Sequence, residues 1–132
     1  MAAIRSRDTK PERTVRSTLH KMRHRFRLHV RDLPGCPDIV LPKYRAVVFV
    51  HGCFWHAHTC RVGRRMPKTN RRYWQAKRET NRFRHQKTRK RLRRFGWRVL
   101  VVWECQTHDV GSLMSRLAAF LGDWADYRGN AT

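Results

Sequence analysis

The sequence YRAVVFV at residues 44–50 decides the fold. Apart from one arginine its residues are β-branched, aromatic or aliphatic, which is typical of a strand buried on both faces. A second run of the same kind, WRVLVVW, occupies residues 97–103. We predict that both runs are strands of one sheet, the first in a central position and the second reached through a helix.

The chain before the first of these strands predicts a helix followed by a hairpin. Thr9 is suited to cap the helix, Pro11 fits its first turn, and Glu12 occupies the capping-box position. Four apolar residues at helical spacing form a buried stripe: Val15, Leu19, Met22 and Phe26. Short apolar strands at residues 26–30 and 37–41 flank a Pro/Gly turn.

Two further helices complete the predicted fold. Thr69 or Asn70 caps a long basic helix that runs to about Phe95 and ends at Gly96. Ser112 caps the last helix, whose inward face consists of Leu113, Leu117, Phe120, Leu121 and Trp124. The order helix–strand–strand–strand–helix–strand–helix predicts an α/β fold with an α+β mixed sheet. We expect one domain, residues 1–132, with a frayed tail at 128–132.

The charge indicates a polyanionic partner. The 132 residues include 31 Lys or Arg and 9 Asp or Glu, a net charge of +22, and seventeen of the cations lie in residues 61–98. Hydrophobic residues make up 40% of the chain, too many for a disordered polybasic tail. We find no apolar run near the roughly 18 residues of a transmembrane helix and expect no signal peptide. Nucleic acid is the favoured partner, and ribosomal or chromatin-packing proteins are the alternative class.

The segment HGCFWHAHTC (51–60) is rich in side chains that bind metals. Tetrahedral zinc takes four nitrogen or sulfur ligands. The segment offers Cys53, Cys60 and a histidine, and Cys105 after the last strand is the fourth candidate. The spacing is compatible with either His56 or His58. The alternative is a set of buried free cysteines with a surface histidine, and the clustering favours zinc.

Two carboxylates and two histidines are candidates for catalysis. Asp38, at the mouth of the hairpin, is either a Mg²⁺ ligand for phosphodiester hydrolysis or a turn residue that caps backbone amides. Glu12 is either a catalytic acid or part of the capping box. His51 and His56 suit general acid–base chemistry, and their position beside the metal-binding segment favours a function.

Aromatic side chains accompany the basic region. Phe54 and Trp55 are neighbours in a polar loop, and Trp74 opens the basic helix. Each is either a wedge that enters a DNA duplex or a side chain that packs near the metal site. Trp97, Trp103 and Trp124 fit core positions and are assigned no function.

Taken together, these motifs resemble the very short patch repair endonucleases over roughly residues 4–121. The resemblance lies in RDTKPE (7–12), LPGCPDIV (33–40), VFVHGCFWHAHTC (48–60), YWQAK (73–77) and GWRVLVVWEC (96–105). It implies a restriction-endonuclease-like core with a structural zinc. It also implies Mg²⁺-dependent nicking of double-stranded DNA 5′ of the thymine in T:G mismatches, which arise when 5-methylcytosine deaminates.

The resemblance also implies the site residues. Asp38 and the backbone carbonyl of Val50 would bind Mg²⁺, Glu12 would reach metal-bound water, and His56 and His51 would be catalytic. The implied zinc ligands are Cys53, His58, Cys60 and Cys105. The implied DNA wedge consists of Phe54, Trp55 and Trp74.

Two positions depart from the family's pattern. Val50 stands where threonine is usual, and His85 stands where the basic helix usually carries an aspartate. The resemblance implies a monomer on T:G-mismatched DNA in the bacterial cytoplasm, associated with the nucleoid, with mismatch-repair proteins as further candidate partners and no membrane contact. The rival interpretation is a non-catalytic, zinc-stabilised DNA-binding protein on a nuclease-like fold.

Overall fold

The computed structural model describes residues 9–54 and 58–131, and the side chains of residues 123–131 lie outside that description. The helices are α1 (Lys10–Lys21), α2 (Arg71–Arg94) and α3 (Val110–Ala131), and the strands are β1 (Arg27–Leu28), β2 (Ile39–Leu41), β3 (Ala46–His51) and β4 (Arg98–Trp103). This confirms the predicted element order, and the two hairpin strands are shorter than predicted. Among the described residues, no helix combines the length and apolar character needed to cross a membrane.

The four strands form one mixed sheet in the order β1-β2-β3-β4. Both hairpin pairings are antiparallel, with Leu28 opposite Ile39 and Ile39 opposite Val48. Strands β3 and β4 are parallel, and α2 connects them. The prediction of a mixed sheet whose last strand follows a helix is confirmed.

Each face of the sheet has its own core, because successive strand residues point to opposite sides. On one face Val48 packs with Leu19 of α1 and Leu117 of α3. On the other face Val47 and Phe49 pack with Leu92 of α2. Burial of side chains of this size contributes about 1.5–3 kcal/mol each, so the strand predicted to be buried holds both layers together.

Helix ends follow the sequence signals in part. Thr9 caps α1 by accepting a hydrogen bond from the Glu12 backbone N–H at 3.3 Å, as predicted. The predicted Ser112 cap of α3 is wrong. The helix begins at Val110, and Asp109 accepts a hydrogen bond from the Ser112 backbone N–H at 3.2 Å. Asp and Ser are comparable N-caps. Asp109 precedes the first helical residue, so its side chain and not that of Ser112 reaches the free N–H groups of the first turn.

A tight approach joins the turn before Asp38 to the basic helix. Gly35 has φ +75°, a left-handed conformation in which side chains are strained, and a Cβ there would overlap the side chain of Thr88 on α2. The turn is therefore held between the sheet and α2 by a residue without a side chain.

We predict that Gly35→Ala destabilises the protein by about 1–3 kcal/mol, because it adds both backbone strain and an overlap with Thr88. Gly122→Ala is the matched control. Gly122 lies within α3, and apart from its chain neighbours and the nearby helix backbone no atom of the described residues is within 4 Å of the place that a Cβ would take. Alanine there is therefore expected to stabilise by about 0.5–1 kcal/mol. Urea unfolding measures both, and equal effects of the two substitutions would contradict the tight approach.

Candidate functional site

Asp38 is fixed at one edge of the sheet. It immediately precedes β2, and its Oδ2 accepts a hydrogen bond of 2.8 Å from the backbone N–H of Val50 near the end of β3. Because β2 and β3 are antiparallel, the beginning of one strand lies beside the end of the other. The Asp38 carboxylate is therefore held by the sheet rather than by a local turn.

Two more side chains converge on this carboxylate. Glu12 is 1% exposed, and its Oε1 lies 2.9 Å from Nε2 of His29. Donor atoms of Glu12, His29 and Asp38 all lie within 4.8 Å of one another. The Glu12 carboxylate thus extends toward the sheet edge, while its backbone N–H takes part in the helix cap.

The environment of Asp38 disfavours its charged form. Burial raises its pKa to about 7, and the nearby Glu12 carboxylate adds to the rise, while the hydrogen bond from Val50 opposes it. A divalent cation bound there would compensate the buried charge. Two carboxylates suit such an ion, whereas the imidazole of His29 is a softer ligand than Mg²⁺ prefers.

His51 lies at the end of β3, and its 7% exposure marks it as buried. Its ring centroid is 4.3 Å from that of His85 on α2 and 5.3 Å from that of Trp103. These rings line a cavity of about 220 Å³ that Arg82 and Arg89 also border. The arrangement places two imidazoles and two guanidinium groups beside one another, which suits an anionic group.

A second cluster combines Cys53, His58, Cys60 and Cys105, whose donor atoms lie within 4.8 Å of one another. The Cys105 sulfur is 3.6 Å from Nδ1 of His58, and the Cys53 sulfur accepts a 3.4 Å hydrogen bond from the Cys105 backbone N–H. Tetrahedral zinc ligands lie about 3.8 Å apart, so small side-chain rotations would close this set around an ion. The cluster could hold a metal, and it contains His58 of the two histidines that spacing left open.

The thiols of this cluster differ in their ease of ionisation. Burial raises the pKa of Cys53 to about 12. A hydrogen bond from the backbone N–H of Gly63 lowers the pKa of Cys60 to about 6, and burial raises that of Cys105. A cation bound by the sulfur atoms would favour the thiolate form of all three.

Aromatic residues lie beside the cysteine segment. The rings of Phe54 and Trp74 are 5.5 Å apart, and the Arg78 guanidinium lies 5.1 Å from the Phe54 ring. Arg78 is 4% exposed, and it donates hydrogen bonds to the backbone carbonyls of Gly63 and Arg65. Arg78 therefore ties the loop after the cysteine segment to α2.

Sequence reasoning assigned some of these residues differently. Trp103, predicted as core, is half-buried, and it stacks on His58 at 4.2 Å between ring centroids. His56 and Trp55 lie outside the described residues, so their predicted roles stay predictions. His29 was missed altogether. The signal that identifies it is the hairpin register, because the pairing of Leu28 with Ile39 puts His29 opposite Asp38.

Comparisons with known proteins relate this chain to DNA mismatch endonucleases and nicking enzymes. The family model described as DNA mismatch endonuclease Vsr matches residues 1–62. The type II nicking enzyme V.XorIIP of Xanthomonas oryzae pv. oryzae is 53% identical over 121 residues, 92% of this chain and 88% of that enzyme. The type II nicking enzyme V.NmeAIP of Neisseria meningitidis is 42% identical over 89% of this chain and 83% of its own length. The DNA mismatch endonuclease Vsr of Escherichia coli is 44% identical over 105 residues, which are 80% of this chain and 67% of that protein.

We predict that Asp38→Asn raises the free energy of unfolding above pH 7. Between its ordinary pKa near 4 and about 7, the folded protein keeps a proton on Asp38 that the unfolded chain has released, so this group's contribution to stability falls as pH rises. Asparagine removes that dependence, and its advantage at pH 8 without added divalent cations is bounded by about 4 kcal/mol.

Asp109→Asn is expected to change the free energy of unfolding in the opposite direction. Hydrogen bonds from Ser112 lower the pKa of Asp109, so its charge favours the folded state and the variant is expected to be less stable above pH 4. Urea unfolding at pH 5 and pH 8 measures both variants. An advantage of Asp38→Asn that does not grow with pH would contradict the buried, ionisable carboxyl.

Proposed function

Because the chain belongs to the DNA mismatch endonuclease Vsr family, we propose that it nicks double-stranded DNA 5′ of the thymine in a T:G mismatch. Such mismatches arise when 5-methylcytosine deaminates, so the reaction would start very short patch repair. The relatives compared are bacterial proteins named as nicking enzymes or as a mismatch endonuclease. We expect this chain to act as a monomer in the bacterial cytoplasm on nucleoid DNA.

The observation that carries the proposal is the meeting of Glu12 and Asp38 at the sheet edge. Their donor atoms lie within 4.8 Å, in a chain with 31 cationic residues and 9 acidic ones. Asp38 and the backbone carbonyl of Val50 would hold Mg²⁺, and Glu12 would reach a water bound to it. The ion would stabilise charge on the phosphodiester and lower the pKa of that water. The core would then be of the restriction-endonuclease type.

Protein side chains supply the rest of the reaction in this proposal. Glu12 orients the attacking water, and His56 takes the proton that the water loses as its oxygen adds to phosphorus and a P–O bond breaks. His51 is buried beside His85 and close to Arg82 and Arg89, where it would contact a phosphate of the cleaved strand. The Cys53–Cys105 cluster would hold a structural zinc that joins the loop to the end of β4.

Helix α2 supplies the DNA-binding surface. Twelve of its 24 residues are Lys or Arg and only one is acidic, so it would hold the phosphate backbone without reading sequence. Phe54 and Trp74, whose rings already touch, and Trp55 would form the wedge at the mismatch. Contacts with mismatch-repair proteins remain a separate expectation.

We predict that the protein with Mg²⁺ nicks a T:G duplex and leaves a fully paired duplex of the same sequence intact. Asp38→Ala is expected to lower the nicking rate about 100-fold or more, because it removes a ligand of the cation that would stabilise charge in the transition state. Asp32→Ala, at an exposed loop acid, is the matched control and should keep the rate. Gel analysis of end-labelled strands measures the product. Tight binding of the T:G duplex without nicking in any divalent cation would support the non-catalytic DNA-binding protein instead.

We also predict one zinc ion per purified chain, measured by elemental analysis. Cys105→Ala removes one of four ligands and is expected to lower zinc content and melting temperature together. Cys36→Ala is the matched control, since Cys36 lies outside the cluster, and its zinc content should equal that of the wild type. A folded wild-type protein without metal would contradict the zinc assignment.

A further inference from the structure

His29 has an unusual backbone conformation directly after β1. Its φ is +50°, in the left-handed region that a non-glycine residue occupies at a cost of about 1–3 kcal/mol. Its backbone N–H donates a 3.2 Å hydrogen bond to the carbonyl of Asp38 on the facing strand. The chain therefore bends at His29, and its imidazole meets Glu12 from α1.

The resulting spacing is that of an ion pair, and it also fits two ligands of one ion. Nε2 of His29 and Oε1 of Glu12 are 2.9 Å apart. Neighbouring ligands of an octahedral ion with bonds near 2.1 Å lie about 3 Å apart. The same imidazole belongs to the group of three donors that closes on Asp38 within 4.8 Å. Two independent features, the strained backbone and the donor spacing, thus concern the same side chain.

The donor set bears on the identity of the cation. Mg²⁺ prefers a shell of oxygen atoms, whereas first-row transition ions such as Mn²⁺ accept imidazole nitrogen alongside carboxylate oxygen. Glu12 and Asp38 supply oxygen, and His29 supplies the nitrogen. In an all-oxygen site His29 would not coordinate the ion and would only contact Glu12.

We propose that His29 is a direct ligand that determines cation specificity, so that the Glu12–His29–Asp38 site binds Mn²⁺ in preference to Mg²⁺. This rests on the proposed metal site at Asp38, and it adds Glu12 and His29 as direct ligands and a class of cation to that site. The competing role for His29 is to orient Glu12 by a hydrogen bond without touching the ion. The two roles differ in whether a nitrogen atom coordinates the metal.

Mn²⁺ is a suitable probe because it is paramagnetic. Continuous-wave electron paramagnetic resonance of the full, zinc-loaded chain without DNA measures free Mn²⁺ during a titration and gives the affinity, and Mg²⁺ affinity follows from competition. Pulsed measurements then detect a nitrogen nucleus coordinated to Mn²⁺. We expect one site per chain with a nitrogen coupling, and Asp38→Asn should abolish the binding.

The variants separate coordination from positioning. His29→Gln keeps an N–H donor for Glu12 and offers only an oxygen to a cation, so we expect it to lose the nitrogen coupling and about 10–100-fold in Mn²⁺ affinity, with little change for Mg²⁺. His29→Asn tolerates the left-handed conformation well and provides a second variant should the first unfold. His20→Gln, at an exposed position of α1, is the matched control and should keep both properties.

The outcomes are distinct from those of the nicking assay. Binding of Mn²⁺ without a nitrogen coupling, equal losses of Mn²⁺ and Mg²⁺ affinity in His29→Gln, or no Mn²⁺ binding would overturn the role of His29. A nitrogen coupling that disappears in His29→Gln supports it, even if the wild type fails to nick a T:G duplex. If the protein nicks with Mg²⁺ but shows no nitrogen coupling to Mn²⁺, the proposed function is supported and the role of His29 as a ligand is overturned.

Discussion

Both clusters of side chains that could hold a metal depend on β3, which pairs in parallel with β4 and antiparallel with β2. Parallel strands end at the same edge of a sheet, so His51 at the end of β3 pairs with Trp103 at the end of β4. Cys105 follows β4 immediately and meets Cys53, which follows β3. The antiparallel partner β2 begins at this edge, and it brings Asp38 to Val50. Strand β3 with its two neighbours thus brings Cys53 to Cys105, 52 positions away in the chain, and Val50 to Asp38, 12 positions away.

Placing two carboxyl groups at this edge disfavours the charged form of Asp38. Asp38 is held by one backbone hydrogen bond and faces another carboxylate, and burial leaves its pKa near 7 despite a net charge of +22 for the whole chain. The cations of α2 are largely exposed, where water and salt screen them. A distant basic surface is consequently a poor substitute for an ion bound directly between Glu12 and Asp38.

The fold was largely predictable because its signals are local. Apolar runs mark β3 and β4, and the spacing of Val15 and Leu19 marks α1. The predicted stripe continued to Met22 and Phe26, which lie beyond the last helical residue, Lys21. The candidate site was predictable only for residues that lie within a recognisable sequence motif, such as Cys53 and Asp38. His29 belongs to the site through cross-strand register and a bent backbone, which no periodicity reveals. Trp103 follows an apolar run, which is typical of a core residue. It is the last residue of β4, and there it stacks on His58. Similarly, Asp109 and Ser112 are equally good caps, and the start of α3 decides between them.

The contact of Gly35 with Thr88 has a mechanical consequence. Thr88 belongs to the helix that carries twelve cations, and Gly35 belongs to the turn that leads into Asp38. Because this contact leaves no room for even one added carbon atom, the helix cannot move toward the sheet without displacing the turn. A displacement of α2 toward the sheet would therefore press the Thr88 side chain against the turn that leads into Asp38.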